Sequence, residues 1–150
     1  MREPITGHHC YLTSGTVYEI DGPNHMLWLG EFTGPFVNDK GKGSFLDGTA
    51  WRCPGMNEMV DGKTVEAKGY CIITDEDGDY AYLRWEADPA KEPGQLGGKS
   101  WFTGDSTGKF KGVKGEFNWK MVYQVMPNPA RNESGIIGFS DFDGWYELPE

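Results

Sequence analysis

Apolar and polar residues alternate with a period of two along much of the chain, in runs too short for helices of ordinary length. Over Tyr80–Ala87, Ala81, Leu83 and Trp85 fall on one face and Tyr82, Arg84 and Glu86 on the other. That is the pattern of a strand whose two faces meet different surroundings. Over residues 116–126, Phe117, Trp119, Met121, Tyr123 and Val125 share a face opposite Glu116, Asn118, Lys120 and Gln124. Residues 25–36 set Met26, Trp28 and Phe32 against Leu27, Leu29 and Glu31. Further strands are expected over residues 9–20, 43–53, Lys63–Thr74 and 99–103, with one or two more over residues 138–148.

Turn chemistry separates these runs. Asp21-Gly22-Pro23-Asn24, Asn38-Asp39-Lys40-Gly41 and Asp61-Gly62 are turn sequences, and Pro54-Gly55 is expected to open a loop. Asp75-Glu76-Asp77-Gly78-Asp79 joins the clearest hairpin. Residues 88–98 and 127–134 read as surface loops. About eight strands without a convincing helix predict an all-β fold, a single antiparallel eight-stranded β-barrel over residues 1–150, lipocalin-like in outline. A two-sheet sandwich is the competing architecture.

Composition agrees with this picture and narrows the partners. Glycine is abundant at 22 residues and aromatics reach 14%, which suits short strands joined by tight turns. A net charge of −9 repels phosphate backbones, so nucleic acid is excluded as an expected partner. No apolar run approaches the roughly 20 residues of a membrane-spanning helix, and the first residues lack the apolar core of a signal peptide. Three cysteines without CxxC spacing fit reduced thiols and a cytoplasmic location, with a Cys53–Cys71 bridge open if their strands are neighbours.

The segment Gly104-Asp105-Ser106-Thr107-Gly108-Lys109-Phe110-Lys111-Gly112-Val113-Lys114-Gly115 resembles the glycine-rich turn of the allene oxide cyclase barrel superfamily. That group includes allene oxide cyclases, dirigent-like proteins and bacterial cyclases. Its glycines permit positive φ and tight passage between strands, and Phe110 is placed to plug the barrel end. Val17-Tyr18-Glu19-Ile20 resembles the first-strand motif whose glutamate lines the family's cavity. Pro35-Phe36-Val37-Asn38 resembles the segment with its water-holding asparagine, and Cys53 falls near a cavity cysteine.

The resemblance implies a cofactor-independent cyclase, isomerase or lyase acting on a hydrophobic oxygenated small molecule, with Glu19, Asn38 and Cys53 as catalytic residues. Desolvation of an inward Glu19 would raise its pKa and suit it to acid or base work, and Asn38 would hold a water. Each has a plainer reading: a solvent-facing glutamate beside a turn, turn chemistry for Asn38, a small buried hydrophobe for Cys53. Trp28, Phe32, Trp51, Tyr82, Phe117, Trp119 and Tyr123 are the expected substrate-binding aromatics, unless they simply fill the core. A non-catalytic carrier or a dirigent-like binder of an apolar metabolite is the alternative function. The resemblance also implies a homo-oligomer, dimer or trimer.

No cofactor or metal is expected. The acidic run at residues 75–79 lacks the length of an EF-hand and reads as a hairpin tip. His8-His9-Cys10 has nothing nearby in sequence to complete a metal site, so structural or incidental roles are expected for it. The Tyr82, Arg84 and Glu86 face reads as exposed rather than as an interior polar cluster.

Overall fold

The computed structural model describes residues 1–150 apart from Ser134 and the side chain of Tyr123. Eight strands follow one another in chain order: β1 (Glu3–Glu19), β2 (His25–Asn38), β3 (Ala50–Val60), β4 (Lys63–Thr74), β5 (Tyr80–Ala87), β6 (Gly97–Thr103), β7 (Lys114–Val125) and β8 (Ile136–Glu147). Each pairs antiparallel with the next, and β8 returns to β1 from Glu3↔Tyr146 to Thr13↔Ile136. The sheet is therefore a closed barrel, the expected fold, and the sandwich is excluded. Closure leaves no strand edge unpaired, which matters for a chain with so many apolar strand residues.

Three segment boundaries differ from the sequence pattern. Residues 43–49 form a loop, and the third strand runs instead from Ala50 through Pro54 to Val60. Proline at the expected loop start sits inside the strand, paired with Glu31 on β2, at a point where the β3–β4 ladder is interrupted. The first strand starts at Glu3 rather than at His9, held by its pairing with β8. The Tyr80–Ala87 alternation holds: Ala81, Leu83 and Trp85 are buried, and Tyr82, Arg84 and Glu86 face outward.

One end of the barrel is sealed. Phe36, Trp51, Phe110, Phe117 and Leu46 are buried there, and Phe36 lies flat on Trp51 with ring centroids 4.8 Å apart. Each fully buried side chain of this size contributes about 2–3 kcal/mol of apolar transfer energy. Phe110 does plug this end, carried by a 3-10 turn over Gly108–Phe110. Gly108 has a φ of 54°, and a Cβ there would overlap the Asp79 carboxylate, so only glycine fits.

The acidic hairpin at residues 75–79 is clamped against this segment. Lys109 Nζ bridges Asp75 and Asp77 at 2.6 Å each, and the Lys109 N–H donates to Asp79. The aspartates come close enough to hold a cation, and the Lys109 ammonium bridges two of them, Asp75 and Asp77. A hairpin tip is what this segment is. No helix among the described residues is long and apolar enough to cross a membrane.

Candidate functional site

Strand alternation decides what the barrel encloses. On β1, the odd positions Ile5, His9, Tyr11 and Thr13 are buried while their even neighbours are half-buried or exposed. His9 pairs with Ser140 on β8, and Trp85 on β5 pairs with Ser100 on β6. Trp119 on β7 pairs with Phe142 on β8. These side chains converge from both sides of the barrel on one interior chamber of about 40 Å³, also lined by Phe32, Leu96 and Met121. Glycine makes room for the largest of them: a Cβ at Gly55 or Gly69 would overlap the Trp85 indole.

The chamber adjoins a larger one of about 260 Å³ at the end opposite the plug, and Phe32, Leu96 and Met121 line both. Trp28, Met59, Met126, Asn57 and Gln124 shape this outer part. Together they form a funnel, with a wide mouth and a narrow floor. Among the described residues lining either chamber there is no aspartate, glutamate, lysine or arginine, in a chain where those make up 25%.

Four residues bordering the floor carry polar atoms that are sealed in the wall behind its apolar surface. His9, Tyr11, Trp85 and Ser100 are 4%, 5%, 6% and 1% exposed. His9 Nε2, Trp85 Nε1 and Ser100 Oγ have no hydrogen-bond partner among the described residues, while the Tyr11 phenol is met by the Ser140 hydroxyl. Each such buried orphan costs about 1–3 kcal/mol, and buried polar groups are ordinarily paired. By contrast the neighbouring Trp119 Nε1 donates to the Lys99 carbonyl at 3.1 Å.

Burial dominates the electrostatics of the floor. It pulls the His9 imidazole down to about 4, opposed by contact with the Gly34 carbonyl, so the ring is neutral near neutral pH. Burial likewise pushes the Tyr11 phenol up, opposed by the Ser140 hydroxyl. The rings are mutually braced: Tyr11 meets Phe32 edge-on at 5.0 Å, and Trp85 meets Trp119 edge-on at 5.7 Å.

The residues expected from sequence are divided between this funnel and other places. Phe32 and Trp119 line the floor and Trp28 the mouth. Trp51 and Phe117 belong to the sealed end and reach neither chamber. Tyr82 is on the outer wall, stacked with Tyr80. The Tyr123 side chain lies outside the described residues.

The three proposed catalytic residues are not brought together. Glu19 ends β1 in solvent, because the strand overruns the barrel rim and its last residues lose their inward neighbours. The desolvation that an acid–base role needs is absent there. Asn38 is buried at the sealed end, where its amide donates to the Phe45 carbonyl and its Oδ1 accepts the Lys40 N–H. That is turn chemistry, holding the 39–49 loop, with Asp47 accepting the Asn38 N–H. Cys53 does line the floor, but it is bonded to Cys71, directly across on β4, and has no free thiol. Among the cysteines only Cys10 is free.

His9, Tyr11, Trp85 and Ser100 are the residues that sequence reasoning passed over as a site. A usable signal existed: had the first strand been extended back to Glu3, period two would have placed His9 between Ile5 and Tyr11, facing inward.

No protein-family description and no curated protein matches the sequence. Among solved structures, a pterocarpan synthase dirigent protein is similar over 100% of this chain and 96% of its own, at 10% identity and a TM-score of 0.52. A protein of unknown function from Clostridium acetobutylicum ATCC 824 is similar over 99% of both chains, at 10% identity and a TM-score of 0.50. At such identity the likeness is one of fold, and the chain shares the eight-stranded barrel architecture of both.

Proposed function

We propose that the protein binds an apolar, partly oxygenated small molecule in its funnel and orients it there, as a carrier or in a dirigent-like role. The observation that carries this reading is the funnel itself, apolar at its floor and lined by no charged side chain among the described residues. An apolar chamber with a few polar side chains, here Asn57, Thr64 and Gln124 of the outer part, is the ordinary form of a small-molecule site. The barrel shared with a dirigent protein supports the reading at the level of fold. A cyclase, isomerase or lyase activity in the same chamber would have to move protons through neutral His9 and Tyr11 rather than through Glu19 and Asn38. The expectation of a cytoplasmic location loses its main support, since a Cys53–Cys71 disulfide persists best in oxidising compartments.

The test is a fluorescence titration with N-phenyl-1-naphthylamine, an uncharged apolar probe. Saturable binding of one probe per chain is expected, with energy transfer from Trp28, Trp85 and Trp119. Leu96→Glu, which puts a charge at the constriction, should abolish it. Absence of saturable binding, or binding untouched by that substitution, would overturn the proposal.

A further inference from the structure

The outer chamber differs from the floor in presenting polar side chains to the space a ligand would fill. Asn57 on β3 lies beside Trp28 in the β2–β3 register, and both line this chamber of about 260 Å³. The β3–β4 ladder shifts by one residue there: Glu58 pairs with Glu66, but the next residue, Met59, pairs with Thr64. That bulge leaves Val65 unpaired and exposed, and it turns Thr64 inward, where it is 5% exposed. The Thr64 hydroxyl donates to Asn57 Oδ1 at 2.9 Å. With its oxygen engaged the amide is oriented, and Nδ2, a donor only, has no hydrogen-bond partner among the described residues. Asn57 is half-buried, so these N–H groups are open to whatever fills the chamber.

A ligand's apolar body expels water from the two N–H groups, and only an acceptor of its own replaces what is lost. Charge decides which acceptor. The connections β1–β2, β3–β4, β5–β6 and β7–β8 all lie at this end of the barrel. In them Asp21, Asp61, Asp88, Glu92 and Glu133 outnumber Lys91 and Arg131. An anion is repelled at such a mouth, and inside it meets no cation among the described lining residues. Resting on the binding role proposed above, we infer that the funnel selects ligands bearing an uncharged carbonyl, with Asn57 as the residue that determines the selection. A ketone, ester or lactone oxygen accepts from Asn57 Nδ2 while the hydrocarbon remainder packs on Trp28, Phe32 and Met121. Thr64 is a positioning residue, occupying the amide oxygen so that the nitrogen is left to the ligand.

The experiment is displacement of bound N-phenyl-1-naphthylamine by 2-acetylnaphthalene, by its hydrocarbon isostere 2-isopropenylnaphthalene and by 2-naphthoate. Two variants are compared with the wild type. Asn57→Asp keeps the shape and the bond from Thr64 but loses both donors. Asn57→Leu combined with Thr64→Val removes the pair together and leaves no orphan. In each, the ketone-to-hydrocarbon affinity ratio should fall about tenfold from its wild-type value, the equivalent of one net hydrogen bond. The ratio cancels the hydrocarbon's greater general affinity for apolar surfaces, and either variant suffices should the other fail to fold. On the wild type, 2-naphthoate should displace the probe roughly tenfold more weakly than the ketone, or worse. A ratio unchanged in either folded variant would overturn selection by Asn57 while leaving the binding site itself intact. Naphthoate displacing as well as the ketone would overturn the exclusion of anions. Absence of saturable probe binding would overturn the binding role and this selection together.

Discussion

Placing a neutral histidine at the barrel's centre has a measurable consequence for acid stability. His9 titrates at about 4 in the folded chain against an ordinary 6.5. Between those values the unfolded chain binds a proton that the folded chain refuses, so stability falls as pH drops through that window. At about pH 4.5 an unfolded histidine is ~99% protonated and the folded one about one-quarter protonated. The difference amounts to about 2 kcal/mol lost between about pH 7 and about pH 4.5, from roughly 1.36 kcal/mol per pKa unit. His9→Phe keeps a ring of similar shape in the same place and removes the titration. Urea unfolding of both chains at the two pH values, followed by tryptophan fluorescence, isolates the effect, because carboxylates common to both cancel in the comparison. The wild type should lose about 2 kcal/mol more than His9→Phe. Parallel losses, within about 0.5 kcal/mol, would refute the buried neutral imidazole.

Two further outcomes follow from the walls and rim of the funnel. The Cys53–Cys71 bond spans 18 residues, so the Cys53→Ala, Cys71→Ala double variant should lose roughly 3 kcal/mol in urea unfolding. Thiol titration of the denatured wild type should count Cys10 alone; three reactive thiols would contradict the bridge. At the rim, His25 is held by Glu58 at 2.6 Å and Asp21 at 2.9 Å, which raise its pKa above the ordinary histidine range. The stabilisation is complete below the unfolded pKa and is lost as pH rises through the folded one. Its imidazole protons should titrate above about 6.5 by NMR; a midpoint at or below that value would remove the clamp.

Where the sequence was legible, and where it was not, follows from one physical distinction. Period-two alternation is a local property, and in Tyr80–Ala87 it correctly separated Trp85 from Arg84. Glycine at 108 and phenylalanine at 110 were legible because positive φ and a plugging ring impose residue type directly. The site depends instead on which faces close on each other, and that is set by the β1–β8 pairing, a contact between chain ends. Without it, His9 had no visible partners in sequence, and Ser100 was an ordinary strand serine. Whether Glu19 faces inward or solvent is not decided by its apolar neighbours Val17 and Ile20, because the strand runs beyond the rim, where those neighbours are exposed as well. The Cys53–Cys71 bridge is undecided in sequence for a related reason: it needs the β3–β4 register, which spacing alone does not set.

The proposed binding role requires a ligand to enter the barrel through the mouth formed by Trp28, Met59 and Met126 and to reach its floor. Intermolecular NOEs from bound N-phenyl-1-naphthylamine locate it directly. Contacts to the ring protons of Trp28, Phe32 and Trp119 and to the Met121 methyl are the predicted result. Contacts confined to outward-facing residues such as Leu12 and Ile137, with none to those interior rings, would contradict it.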